Sequence, residues 1–181
     1  MKTELEVRIL EIDVKNIQSK LEELNAEFIG AFHQRRYVYD FNPLVAGKWI
    51  RLRTNGKKAT LAIKEVQSNK IDGTKELETI VSDFDATHLI LKELGYTERA
   101  YQENKRISYR FNECEIEIDS WPLIPTYLEI EGPFEAKIQE VITLLGIDNS
   151  LVSSMDVERV YNEVYGIDVN QYKYLSFEES F

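Results

Sequence analysis

The sequence predicts an α+β fold: antiparallel strands, apolar on one face and charged on the other, with helices against the apolar side. Alternation of apolar and charged residues recurs in about eight segments, the period-two signature of half-buried strands. Three of those segments read Glu-x-Glu, at Glu4/Glu6, Glu76/Glu78 and Glu129/Glu131, and an amphipathic helical pattern follows each. An Asn55-Gly56 pair between two alternating runs adds a hairpin, which makes neighbouring strands antiparallel.

Bulk properties bound the reading further. With 181 residues and 43% apolar content, the chain can bury one sizeable core, and a single domain over 1–181 is expected, with its core in about 1–165 and a tail at 166–181. A net charge of -10 opposes non-specific nucleic-acid binding, which needs a basic surface. A polyanion remains a possible ligand if positive charge is concentrated in a cavity and supplemented by metal. The single cysteine, Cys114, excludes an internal disulfide and a Cys-based zinc site. Met1-Lys2-Thr3-Glu4 enters a charged strand with no signal-peptide pattern, and no apolar run approaches the ~20 residues of a membrane span. The expectation is a soluble cytoplasmic protein.

The elements follow in order. Leu5, Val7 and Ile9 alternate with Glu4, Glu6 and Arg8 in the first strand. Asp13 can cap a helix whose apolar stripe is Val14, Ile17, Leu21 and Leu24. A strand from about His33 to Phe41 puts Tyr37, Tyr39 and Phe41 on one side, and Asn42-Pro43 ends it. The hairpin Trp49–Arg53 and Thr60–Lys64 carries Arg51, Arg53 and Lys64 on its charged face. After a polar loop, Glu76-Leu77-Glu78 leads to Asp85 by the same nine-residue step that separates Glu4 from Asp13. A helix through Leu89, Ile90 and Leu94 then stops at Gly95. A strand over Lys105–Phe111 precedes one in which Glu115, Glu117 and Asp119 alternate with Ile116 and Ile118. Tyr127–Glu131 leads past Pro133 to a helix ending at Leu145-Gly146. The tail, Val157–Phe181, reads as one helix (Val160, Val164) and an irregular aromatic segment.

Two arrangements satisfy this pattern. Apolar faces can form a sandwich core with charged faces in water, or the strands can curl so that charged faces line a lumen and helices cover the apolar outside. The signs are segregated: Glu4/Glu6, Glu76/Glu78, Glu115/Glu117/Asp119 and Glu129/Glu131 stand against Arg51/Arg53/Lys64 and Arg106/Arg110. Carboxylates that hold a divalent cation, opposed to guanidiniums that hold phosphate, are what phosphoryl chemistry requires. Parity also turns Arg36 towards the charged face, where it would balance charge or contact ligand. Cys114 shares the apolar face with Ile116 and Ile118, and His33 and His88 have no metal-ligand spacing.

At these residues the chain resembles the CYTH superfamily, the triphosphate tunnel metalloenzymes. That superfamily includes class IV adenylate cyclases, thiamine triphosphatases and inorganic triphosphatases. Its Glu-x-Glu-x-Lys strand is matched by Glu4-Leu5-Glu6-Val7-Arg8, and its basic pair by Arg51 and Arg53. Its following lysine is matched by Lys64, its middle acidic pair by Glu76/Glu78, its later basic residue by Arg106, its aspartate by Asp119, and its late acidic pair by Glu129/Glu131. The resemblance implies a closed eight-stranded antiparallel barrel forming a tunnel, with helices packed outside.

It further implies Mg²⁺ or Mn²⁺ held by Glu4, Glu6, Asp119, Glu129 and Glu131, and triphosphate gripped by Arg8, Arg51, Arg53, Lys64 and Arg106. Lys64, Glu78 and Arg8 would serve catalysis. Two residues depart from the pattern. Arg8 replaces a lysine and cannot act as a base. Val38 stands where thiamine triphosphatases carry a catalytic tyrosine, while Tyr37 and Tyr39 should face outward. The function implied is a metal-dependent phosphohydrolase acting on inorganic or nucleoside triphosphate. The alternatives are a class IV adenylate cyclase, forming cyclic AMP and pyrophosphate, and a non-catalytic polyphosphate or nucleotide binder. Expected partners are a small phosphorylated substrate, no nucleic acid and no membrane, with the chain a monomer or homodimer.

Overall fold

The computed structural model describes residues 1–68 and 70–178. Strands β1 (Lys2–Glu4) and β2 (Glu6–Ile9) are two pieces of one N-terminal segment. They are followed by α1 (Val14–Glu23), β3 (Glu27–Asp40), β4 (Lys48–Thr54), β5 (Ala59–Val66), β6 (Thr74–Val81), α2 (Phe84–Glu93), β7 (Glu98–Phe111), β8 (Cys114–Ser120), β9 (Tyr127–Glu131) and α3 (Glu135–Leu144). Two short strands complete the sheet, β10 (Val152–Ser153) and β11 (Tyr174–Leu175).

The strands run in the spatial order β1-β6-β5-β4-β3-β7-β8-β9-β2-β10, all antiparallel, with β11 added parallel to β7. Strands β1 and β2 lie at or beside opposite ends of that order yet adjoin in sequence, so the N-terminal segment brings the two ends of the sheet together. The expected closed eight-stranded barrel is thus an open, strongly curled sheet, of eleven strands among the described residues. The ladder breaks at Leu5, where the segment leaves β6 and joins β9. There the Leu5 carbonyl accepts from the Gly132 amide at 3.1 Å, and the Glu6 amide donates to the Ile71 carbonyl at 3.4 Å. Curl is increased along the long pair β3–β7, which is interrupted by register shifts at Phe28/Gly30 and Val38/Tyr39.

The helices cover the outside, as their apolar stripes predict. Ile17 and Leu21 of α1, with Ile138, Val141 and Ile142 of α3, pack on Val7, Ile116, Leu128 and Ile130. Cys114 is fully buried in this cluster. Gly132 lets α3 approach: a Cβ there would lie 2.8 Å from Ile138 Cγ1 and 2.9 Å from Cys114 Sγ. Phe84 and Leu91 of α2 pack on Tyr39, Ile50 and Leu52.

Asp13 caps α1 by accepting from the Asn16 amide at 3.1 Å. The cap of α2 is Asp83, accepting from Ala86 at 2.8 Å, whereas Asp85 lies in the first turn, 3.8 Å from Arg35. The nine-residue step is therefore broken, because either aspartate satisfies the capping pattern and the strand ends two residues before Asp83. The expected strands at 33–41 and 105–111 start earlier, at Glu27 and Glu98, since pairing with each other extends both.

The tail is more than a periphery. Val157–Arg159 forms a helical turn that continues as a π-turn over Val160–Val164. Val160, Tyr161, Val169 and Leu175 are buried against Trp121 and Tyr127. This core extends the expected limit at about residue 165 to at least Leu175; the last three residues of the tail, 179–181, lie outside the described residues. No helix among the described residues is long and apolar enough to cross a membrane.

Candidate functional site

Strand parity sends the charged faces inward. The curled sheet encloses a cavity of about 830 Å³ into which Glu4, Glu6, Arg8, Arg51, Arg53, Lys64, Glu76, Glu78, Arg106, Asp119, Glu129 and Glu131 all project. Every site residue expected from the sequence therefore lines one volume. A second cavity of about 300 Å³ continues from it past Arg53, Glu78, Arg106 and Glu115 to a mouth bordered by Lys58 and Arg110.

The basic side is ordered by carboxylates beneath it. Arg51 donates to Glu76 at 2.7 Å and to Glu78 at 3.4 Å, and Arg53 lies 3.5 Å from Glu78. Repulsion from Arg51, followed by burial, lowers the Arg53 guanidinium to about 10. Arg106 makes a forked contact with Asp119, its Nε donating at 2.7 Å, and reaches Glu129 at 3.1 Å. Asp119 is fully buried and also accepts from Asn104 at 3.1 Å, so its oxygens face protein donors. That arrangement positions the Arg106 fork.

The acidic side is less balanced. Arg8 bridges Glu6 at 2.9 Å and Glu129 at 2.6 Å and donates to the Met155 carbonyl at 2.7 Å. Burial works to raise Glu129, but Arg8 and Arg106 outweigh it and hold the carboxyl at about 2. Neighbouring Glu131 fares differently. Glu6, Glu131 and Glu115 stand opposite one another across β2, β9 and β8, and like charges in that relation repel. Burial, then Glu4 and Glu6, push Glu131 up to about 7, and its salt bridge is to the exposed Lys2 at 3.6 Å. Glu4 is likewise raised, by burial and by a hydrogen bond shared with Glu76, although Lys64 Nζ stands 2.9 Å from its Oε2.

Crowded carboxylate oxygens are the donor set that a hard divalent cation takes. Among the described residues no three carboxylate, His or Cys side chains already converge in a metal-ligating arrangement; Glu4 and Glu6 are turned towards Lys64 and Arg8 instead. The residues fit a hard cation by chemistry, with Glu131 answered by the exposed Lys2 at 3.6 Å.

Val38 lines the cavity. Its neighbours face outward as expected: Tyr37 stacks on His88 with centroids 4.0 Å apart, and the Tyr39 hydroxyl meets His88 Nδ1 at 2.7 Å. Arg110 is exposed beside Glu27 rather than inside. Arg36 is a cavity residue that the motif set omitted, though parity pointed to it. Trp121, Tyr161, Val157 and Val169 form an apolar end that no strand motif announced, because three of them come from the tail.

The CYTH domain model matches residues 2–161. A protein of Pyrococcus horikoshii superposes with a TM-score of 0.73 at 24% identity, covering 84% of this chain and 96% of that one. A candidate adenylate cyclase of Vibrio parahaemolyticus gives 0.73 at 12% identity, covering 89% and 98%. A Hippeastrum protein, described as a candidate adenylyl cyclase with a dominant triphosphatase activity, gives 0.62 at 13% identity, covering 92% and 97%. At these identities the likeness is one of fold. No curated protein matches the sequence.

Proposed function

This chain belongs to the CYTH family, and we propose from that premise that it is a metal-dependent phosphohydrolase acting on inorganic or nucleoside triphosphate. One observation carries the reading: guanidiniums that repel one another and carboxylates that repel one another line the same cavity, in a chain whose net charge is -10. Such an interior is complementary to a polyanion together with a cation.

Arg51, Arg53 and Arg106 hold phosphate oxygens with their forked donors, aimed by Glu76, Glu78 and Asp119. Lys64, beside Glu4, adds a point charge. Glu4, Glu6, Glu129 and Glu131 would hold Mg²⁺ or Mn²⁺. When bound, such a cation supplies charge neutralisation on phosphate oxygens and Lewis-acid activation of water. Arg8, tied to Glu6 and Glu129, orients those carboxylates. Hydrolysis adds water to a terminal phosphorus and releases the bridging oxygen with the diphosphate; positioning and charge stabilisation carry it, without a covalent nucleophile. Glu78 serves by aligning Arg51 and Arg53.

The apolar end at Trp121 and Tyr161 favours one second reading, adenylate cyclase, because a nucleobase needs such a surface. One experiment tests both. Purified protein is incubated with tripolyphosphate or ATP and Mg²⁺ or Mn²⁺, and the products are separated by chromatography. EDTA-sensitive orthophosphate release is the expected result, cyclic AMP with pyrophosphate would replace hydrolysis by cyclisation, and no turnover would reject both.

A further inference from the structure

Four arginines of the cavity, Arg8, Arg51, Arg53 and Arg106, each stand within 4 Å of a carboxylate. Arg36 is as buried as Arg8 and Arg51, yet among the described residues it forms no salt bridge with a carboxylate. Its Nη2 donates to the neutral side chains of Asn104 and, at 3.3 Å, Gln34. Its Nε is buried with no partner. The guanidinium lies 4.5 Å from the centroid of the Trp121 ring. In the β3–β4 ladder Arg36 is paired directly with Arg53. Burial first, then Arg53, Arg51 and Arg106, lower the Arg36 guanidinium well below its ordinary value, and Asp119, behind Asn104, opposes them only in part. A buried charge without a counter-ion is strongly unfavourable, and like charges directly across a ladder add to it.

Trp121 alone does not account for this. A cation–π contact offsets only part of the cost of desolvating a guanidinium, and a neutral side chain of similar length would fill the same space without the penalty. The missing component is an anion, in the volume where Arg36 and Arg53 face each other.

We propose that Arg36 is a phosphate-binding residue, which takes an oxygen of a polyphosphate lying between it and Arg53 at the Trp121 side of the cavity. The proposal rests on the triphosphate reading above and extends its grip to a strand, β3, that contributes none of the motif residues. In the empty protein Arg36 is destabilising; with the polyanion bound it is one of the holding donors.

The test uses Arg36→Met, which keeps a stem on Trp121, and Arg36→Lys, which keeps charge without the fork. Sodium tripolyphosphate is titrated calorimetrically into each in EDTA, so that metal ligands do not set the readout, and the ligand-free Tm is recorded. The expected result is a Met variant with a ligand-free Tm equal to or above wild type and a Kd weaker by about tenfold or more, as for loss of a charged hydrogen bond. The Lys variant falls between. A Met variant that unfolds, or one whose Kd stays within about threefold of wild type, overturns the proposal and makes Arg36 a prop for Trp121. Those outcomes leave the triphosphate reading intact when wild type binds. A wild type that binds no tripolyphosphate in EDTA overturns the proposal, and one that binds none with Mg²⁺ present either overturns both.

Discussion

The two charged walls of the cavity neutralise themselves to different degrees, and each leaves a remainder. On the wall where β2, β9 and β8 meet, Arg8 and Arg106 answer Glu129 and hold it at about 2, but Glu131, one turn of the pleat further, rises to about 7 with only an exposed lysine near. On the wall of β3, β4 and β7, Arg106 is locked by Asp119 and Arg51 by Glu76, while Arg36 pairs directly with no acid among the described residues and reaches Asp119 only through Asn104. The remainders have opposite sign and do not cancel, because each is anchored to its own strand. Paired charges build the walls; unpaired ones are left for ligands.

Removing a paired charge should have the largest effect. Arg106→Met would leave the fully buried Asp119 without its cationic partner and Glu129 with Arg8 alone, a loss of about 3–5 kcal/mol measurable by urea titration. If Arg36→Met destabilised as much, the distinction between paired and unpaired charge would collapse.

Metal provides the next effect. Mn²⁺ at a hundredfold excess over its Kd should stabilise the wild type by about 2.7 kcal/mol, seen as a Tm rise reversed by EDTA. Glu131→Gln should lose most of that increment while its metal-free Tm stays level or rises, since a crowded carboxylate has gone. A drop in metal-free stability with the increment retained would assign Glu131 to the fold instead.

The smallest effect concerns pH. Glu117, buried between Ser108 and Arg106, is pushed up to about 7, mainly by burial. The folded protein then keeps a proton that the unfolded chain has released, so stability falls as pH rises from about 4.5 to about 7. At 1.36 kcal/mol per unit, and allowing for relaxation, the loss is about 2 kcal/mol. Glu117→Gln should make that part of the stability–pH curve shallower, Glu131 supplying the slope that remains; a slope equal to wild type would place the titration elsewhere.

Much of this site was legible from parity. Residues two apart in a strand share a face whatever the partner strand, so Glu4/Glu6, Arg51/Arg53 and Glu129/Glu131 could be assigned together before any fold was known. Val38 between outward Tyr37 and Tyr39 followed from the same rule. The cap at Asp83 was not legible, because two aspartates two residues apart satisfy the same local pattern and only the end of β6 chooses between them. The opening of the ladder at Leu5 was hidden for a related reason: a strand that changes partners keeps its alternation. Nor did the tail reveal that Tyr161, Val157 and Val169 close one end of the cavity, since its aromatic composition carries no address.

Sequence alone determined which side chains share a face, because alternation is a property of the covalent chain; that this face turns inward came with the curl of the sheet. Only the tertiary structure decided which of those charges are answered. That depends on register between strands distant in sequence, Glu6 beside Glu131 beside Glu115 and Arg36 beside Arg53, and register is set by how the whole sheet curls.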